Sequence, residues 1–304
     1  MSRDAVVRTL LLLILFFLSA WPAESAAQQA SPSAVRAAVE ARIAKHRGVV
    51  GVAVIDPKTD EMFEIRGHEP FPTASVIKVP ILVEVFHQVH LGRLRLDDPL
   101  TMLEIDKKPG SGFLQYLSAP HRLTVADAAL LMIAMSDNTA TNLLIDKVGI
   151  RQVGARMDTL GLPRTTLHSK IFDRTSSIAM DSSVVYGVGV TTPVEMARLF
   201  AMLYRGEVVS PEASAQMVEM LKKQFYRHGI PRYLAGVEVA NKTGSVSNSR
   251  SDCGIVYGGS RDYVLCVFTK ENEDQSWTSD NEAEVLIADL ARIVHETLVG
   301  RAAN

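Results

Sequence analysis

Ser75-Val76-Ile77-Lys78 begins the helical part of this chain, and its spacing decides how the remainder is read. Three residues apart on a helix, Ser75 and Lys78 share a face with Cβ atoms roughly 5–6 Å apart, so an amine lies within reach of a hydroxyl. A serine hydroxyl is a poor nucleophile at neutral pH and must hand its proton to a positioned base as it attacks a carbonyl. Lysine serves as that base only when its pKa is lowered, by a desolvated cleft or by a second cation such as Lys242. Partial positive charge at the helix start adds to the same effect. Taken alone, the pair reads as a capping serine and a solvated lysine.

Two further motifs change that reading. Ser136-Asp137-Asn138 and Lys242-Thr243-Gly244 follow at intervals of 61 and 106 residues. On this composition a Ser-x-x-Lys arises roughly once by chance and each of the other tripeptides a few hundredths of a time. Ser136-Asp137-Asn138 lies between the apolar run Ala128 to Met135 and the helical Leu143 to Ile145, which predicts a turn facing a cleft. There Ser136 can relay a proton to a leaving nitrogen, and the Asn138 amide can bind Lys78 or a substrate amide. Asp137 is expected to hold the turn through backbone groups. Lys242 offers a charge to a substrate carboxylate, and Thr243 and Ser245 offer hydroxyls. Gly244 lets substrate lie against the strand as an extra strand. Arg250 is either a second charge for that carboxylate or an exposed loop residue.

Around these motifs the chain predicts an α/β (α+β) fold. A helix bearing Val35, Val39 and Ile43, with Ser33 as cap, precedes strands Val49 to Ile55 and Glu61 to Ile65, joined through Asp56-Pro57-Lys58-Thr59-Asp60. From Ala74 to about Gln224 the pattern is helical. Thr124 with Asp127, and Thr192 with Glu195, spell capping boxes, and Ser210-Pro211 starts another helix. Strands follow near Gly236 to Thr243, Cys253 to Tyr257 and Tyr263 to Thr269, then an amphipathic helix from about Asn281 to Val299. Strands at both ends with helices between them imply one antiparallel sheet flanked by terminal helices, with an inserted all-α lobe and the site between the two. The expected division is a leader over 1–27, a sheet lobe from 28–72 and 225–304, and an all-α lobe over 73–224.

The ordered motifs and their intervals resemble class A β-lactamases and the related penicillin-binding serine acyltransferases, over most of the chain after the leader. The resemblance implies the same architecture and an acyl-enzyme mechanism that opens a β-lactam amide. It implies Ser75, Lys78 and Ser136 as catalytic residues and Asn138, Lys242, Thr243 and Ser245 as substrate-binding ones. The oxyanion hole would be the backbone N–H groups of Ser75 and Ser245. The implied partner is a small β-lactam or peptidoglycan-like substrate, with no metal and no cofactor. Alternatives on the same fold are a penicillin-binding peptidase or esterase, or a β-lactam-binding domain that is acylated without turnover.

One feature of that family is missing. Its Glu-x-x-Leu-Asn segment supplies the glutamate that activates the deacylating water. Here 171–192 reads IFDRTSSIAMDSSVVYGVGVTT, and counting back from Thr192-Pro193 puts the expected glutamate near Ser176. Asp173 and Asp181 are the only carboxylates in that segment, and each is a methylene shorter than glutamate; Asp173 also reads as half of an ion pair with Arg174. A misplacement of about 1 Å costs roughly 100-fold in rate, so slow deacylation is expected.

The first residues, with Arg3, Asp4 and Arg8, then the apolar run Leu10 to Leu18 and Ser25-Ala26-Ala27, read as a secretory leader cleaved after Ala27. The run is shorter than the ~20 residues of a span. The expectation is therefore an exported protein, periplasmic or secreted, without a stable membrane span. With 32 basic and 34 acidic residues the chain carries no basic excess and recommends no nucleic-acid partner. It is expected to be a monomer.

Cys253 and Cys266 fall opposite one another if Gly258 to Arg261 forms a hairpin loop, and an exported pair can be oxidised. Opposed Cβ atoms at ~4.5–5.5 Å are wider than a disulfide prefers, which favours two reduced thiols. His87 and His90 lack a third metal ligand in sequence reach, and Gly187-Val188-Gly189 lacks the context of a dinucleotide site. Phe113, after the flexible Gly110-Ser111-Gly112, reads as either a cleft edge or core.

Overall fold

The computed structural model describes residues 32–300, so the leader read over 1–27 lies outside the described residues. In chain order the elements are α1 (Pro32–Ile43), β1 (Val49–Ile55), β2 (Met62–Ile65), β3 (Phe71–Pro72), α2 (Lys78–His90), β4 (Pro99–Met102), β5 (His121–Thr124) and α3 (Val125–Ala134). Then come α4 (Asn138–Val148), α5 (Ile150–Thr159), β6 (Thr166–Leu167), α6 (Met180–Tyr186), β7 (Gly189–Thr191), α7 (Pro193–Arg205) and α8 (Pro211–Lys222). Strands β8 (Glu238–Val246), β9 (Ser249–Tyr257) and β10 (Tyr263–Lys270) and helix α9 (Glu282–Leu298) close the chain.

Both ends of the chain build one antiparallel sheet in the order β2-β1-β10-β9-β8. Its central strands read as unbroken apolar runs because both faces are covered. One face packs on α1 and α9 through Val35, Val39, Val52, Leu265 and Leu290. The other packs on the inserted lobe through Ala53, Ile55, Val264 and Phe268. In that lobe α2 is buried from Lys78 to Phe86, which makes it the central helix rather than an amphipathic surface one.

The capping box of Thr124 with Asp127 and the Ser210 start act as read, and the others only in part. Thr124 and Asp127 cap α3 reciprocally, Ser210 caps α8, and Asn281 caps α9 by accepting from two backbone N–H groups. Thr192 caps α7, but Glu195 turns away from the box to accept from Thr165 Oγ1 at 2.7 Å and Arg164 N at 3.0 Å. Ser33 lies within the first turn of α1 rather than before it. The inserted lobe is not all helical: β4 pairs with β5, and β3, β7 and β6 form a small sheet. These strands are two to four residues long, too short for a period-2 pattern to mark them.

The register of β9 and β10 sets Cys253 opposite Cys266, as expected. The two are bonded as a disulfide, which corrects the expectation of free thiols. Their Cα atoms are 4.1 Å apart, the close spacing of a non-hydrogen-bonded antiparallel pair, so the side chains are nearer than an average opposed pair.

Candidate active site

Ser75 sits in a 3-10 turn, Ala74–Ile77, that runs straight into α2. From Thr73 to Phe86 it is the one residue that is not buried. Ala74 before it has φ +44° and Ser136 has φ +52°, a region that costs a non-glycine residue of order 1–3 kcal/mol. Both strained residues face the same cleft, where packing holds them.

Lys78 and Lys242 are fully buried and meet at one hydroxyl. Lys78 Nζ lies 3.1 Å from Ser136 Oγ and donates to Ser136 O at 2.6 Å and Asn138 Oδ1 at 2.9 Å. Lys242 Nζ lies 3.0 Å from the same Oγ and donates to Thr243 O at 2.8 Å. Burial, and then the charge of Lys242, hold Lys78 well below the usual lysine range, against the pull of Asp137. Burial brings Lys242 down to about 7, against the pull of Asp252. Two ammonium groups flanking one hydroxyl repel, and this repulsion adds to burial in favouring the neutral form of Lys78. A neutral Lys78 keeps two N–H donors for Ser136 O and Asn138 Oδ1 and has a lone pair left for a hydroxyl proton.

Ser136-Asp137-Asn138 forms the turn expected of it. Asp137 caps α4 by accepting from Ala140 N at 2.9 Å and also accepts from Leu114 N at 2.9 Å. The loop crosses so closely there that a Cβ on Gly112, φ +101°, would stand 2.2 Å from the Asp137 carboxylate. Asn138 is committed at both ends, to Lys78 and, through Nδ2, to Pro109 O at 2.8 Å. Strand β8 is the free edge of the sheet, and a Cβ on Gly244 would stand 2.8 Å from Thr73 O and 3.1 Å from Ser75 N. Gly244 thus lets the strand touch the turn that carries Ser75.

Two adjoining cavities open on Ser75 and share Ser111, Ser245 and Trp277. The smaller, about 200 Å³, also has Ser136, Thr243, Arg250 and Glu284 in its wall. Lys242 lies behind that wall, so its charge reaches the cavity past Ser136 rather than as a lining group. Arg250 is buried rather than a loop arginine, with its plane 4.7 Å from the Trp277 ring centre. The larger cavity, about 510 Å³, is walled by the loop that carries Ser169 to Arg174, with Asn138 opposite and Val188 at the rim.

The structure corrects the reading of that loop. Ser176 is folded onto its own turn, donating to Asp173 O at 2.7 Å and accepting from Lys170 N at 2.8 Å, and lines neither cavity. Ile171 takes the wall instead, with both backbone groups clasped by one amide: its N–H donates to Asn142 Oδ1 at 2.8 Å and its C=O accepts from Asn142 Nδ2 at 3.0 Å. Counting back from Thr192 fell five residues short, because α6 and the turn at Gly187, φ +68°, lengthen the segment between. Asp173 reaches the larger cavity, yet Thr175 Oγ1 donates to its carboxylate at 2.5 Å and pulls it below the ordinary range, making it a weaker base. It makes no ion pair with Arg174 among the described residues. Asp181 is exposed in the first turn of α6 and lines neither cavity. Phe113 is exposed outside both, while Leu114 enters the core. Among the described residues no cluster of three metal-ligating side chains occurs, His87 and His90 included.

Sequence reading missed Asn142, Ile171, Glu284 and His228. Asn142 had a signal, one helical turn beyond Asn138 on the same face. The other three had none, because distant elements bring them to the cleft.

A model of the beta-lactamase enzyme family matches residues 34–298. A beta-lactamase of Rhodobacter capsulatus is 27% identical over 84% of this chain and 85% of its own. The crystal structure of a beta-lactamase from Sphaerobacter thermophilus is 31% identical with TM-score 0.78, covering 89% of this chain and 99% of that one. A mutant of PBP-A, solved as its acyl-enzyme complex with penicillin G, is 26% identical with TM-score 0.76, covering 87% and 96%. With the match spanning nearly all of the described residues, the chain belongs to the beta-lactamase enzyme family.

Proposed function

We propose that this protein opens β-lactam amides through an acyl-enzyme on Ser75 and releases the product slowly. The observation that carries the reading is the Ser136 hydroxyl held between two buried lysines beside Ser75, the one residue of the α2 entry that is only partly buried. Ser75 Oγ attacks the lactam carbonyl carbon while its proton passes to the neutral Lys78. Backbone N–H groups of Ser75 and Ser245 hold the oxyanion. The C–N bond breaks, and the ring nitrogen takes a proton from Ser136, which Lys78 replaces. Hydrolysis of the resulting ester requires a deprotonated water, and Ile171 offers no base in the loop wall.

All of the acting groups come from one chain, which supports action as a monomer. The oxidised Cys253–Cys266 pair supports an exported location. A peptidase acting on peptidoglycan-like peptides is the second reading, favoured by the free edge of β8, which can pair with an extended substrate.

Intact-mass spectrometry of the mature protein mixed with benzylpenicillin tests the first reading. One adduct per chain should form quickly and decay slowly, with a burst of lactam opening followed by a slow steady phase. No adduct together with no lactam opening would refute it. The pH dependence supplies a second check. Acylation needs Lys78 neutral, so its rate climbs as pH rises through the depressed Lys78 pKa. A carboxylate substrate also needs Lys242 charged, so for penicillin the rate falls again as Lys242 loses its proton near pH 7. The stopped-flow acylation rate should therefore be bell-shaped, and a rate still climbing at pH 9 would remove Lys242 from that role.

A further inference from the structure

The wall of the smaller cavity beside Ser245 carries a charge arrangement that the acylation chemistry does not use. Glu284, nearly buried in the first turn of α9, accepts from Ser245 Oγ at 3.3 Å and lies 3.6 Å from Arg250 Nε. Arg250 spends its other donors on main-chain oxygens, those of Val246, Ser249 at 2.9 Å and Ser276 at 2.7 Å. An arginine placed to greet an anion is thus neutralised by a carboxylate and satisfied by carbonyls, and the Ser245 hydroxyl points its proton at the same carboxylate. His228 Nε2 stands 3.6 Å from the same Glu284 oxygen, Oε1.

We propose that Glu284 and His228 are specificity-determining residues that admit an anionic substrate group beside Ser245 only when His228 is protonated. With His228 neutral, Arg250 and Glu284 cancel and an incoming carboxylate meets Glu284 across the Ser245 hydroxyl. With His228 charged the trio nets one positive charge, Glu284 is held by both Arg250 and His228, and Ser245 is released to donate to the ligand. The groups facing His228 are Glu284 and Asp252, which favour its charged form, Arg232, which opposes it together with burial, and the Tyr226 ring at 6.0 Å. Asp252, raised to about 7 by burial, ionises over the same interval in which Lys242 loses its proton, so both shift the wall toward negative as pH rises. Variants must separate their share from that of His228.

This inference rests on the acylation reading and deepens it by naming the charge the substrate carries there. The test is the ratio of acylation rates for benzylpenicillin and its methyl ester, measured at pH 6 and pH 8. A unit charge about 6 Å away at an effective dielectric near 20 shifts such a ratio by roughly ten- to a hundredfold. The wild-type ratio should fall about tenfold from pH 6 to pH 8. Glu284→Gln should raise the pH 8 ratio at least about tenfold and reduce the pH dependence to the share of Lys242 and Asp252. His228→Gln should lower the pH 6 ratio about tenfold, and what pH dependence remains is the share of Lys242 and Asp252. Ratios unchanged in either folded variant would overturn the inference while leaving acylation intact. Labelling by neither compound in the wild type would instead refute the acylation reading, and this inference with it.

Discussion

Ser75→Ala should leave no covalent adduct with penicillin at any time, and Lys78→Ala should slow adduct formation by about 10²–10⁴, the usual worth of a general base. The two losses differ in kind. Without Ser75 Oγ no bond to the acyl carbon can form at this site. Without Lys78 the hydroxyl remains, but its proton loses the amine one helical turn away that would take it, and Ser136 keeps only Lys242. Removing Lys78 also strips Ser136 O and Asn138 Oδ1 of a donor in a buried place, at about 1–3 kcal/mol each, partly offset by no longer burying an amine. Circular dichroism and a denaturant midpoint therefore belong beside the rate measurement, and Lys78→Met, which fills the same space, separates packing from chemistry. An adduct on Ser75→Ala protein, or an unchanged rate in folded Lys78→Met protein, would overturn the assignment.

Ile171→Glu should speed the slow phase by about 10²–10⁴ and leave the burst unchanged. The Asn142 amide grips Ile171 by both its backbone groups, so a side chain there is presented to the Ser75 cavity from a fixed point. A carboxylate on that wall can take the proton of a water attacking the ester, which isoleucine cannot. Ser176→Glu is the control. Its hydroxyl holds the turn to Lys170 N and Asp173 O and lines neither cavity, so this change should loosen the loop without raising turnover. Rapid wild-type turnover without a burst, lost in Asp173→Asn, would show that an aspartate is the base and that the acyl-enzyme is no trap.

Features that depend on neighbours a few residues away are legible in the chain without its fold. The caps of α3, α7 and α8, the limits of β1 and the register that pairs Cys253 with Cys266 follow from hydrogen bonds, periodicity and loop length within short windows. The motif order likewise named Ser75, Lys78, Ser136 and Lys242, which the fold brings to one cleft. How these groups are charged, and what lies against them, depends on long-range packing. Lys78 and Lys242 are depressed because packing from α2, the 136–138 turn and β8 removes water from both, a property of no single segment. Ile171 rather than Ser176 lines the cavity that opens on Ser75, and Asn142, on another element, holds its backbone there. Arg250 is neutralised by Glu284 because α9 folds back over the face of the sheet that carries β9, across 34 residues of chain. Local patterns are set by bonds that close over a few residues, whereas desolvation and charge depend on the sum of everything packed around a group, and that sum exists only once the distant parts of the chain have met.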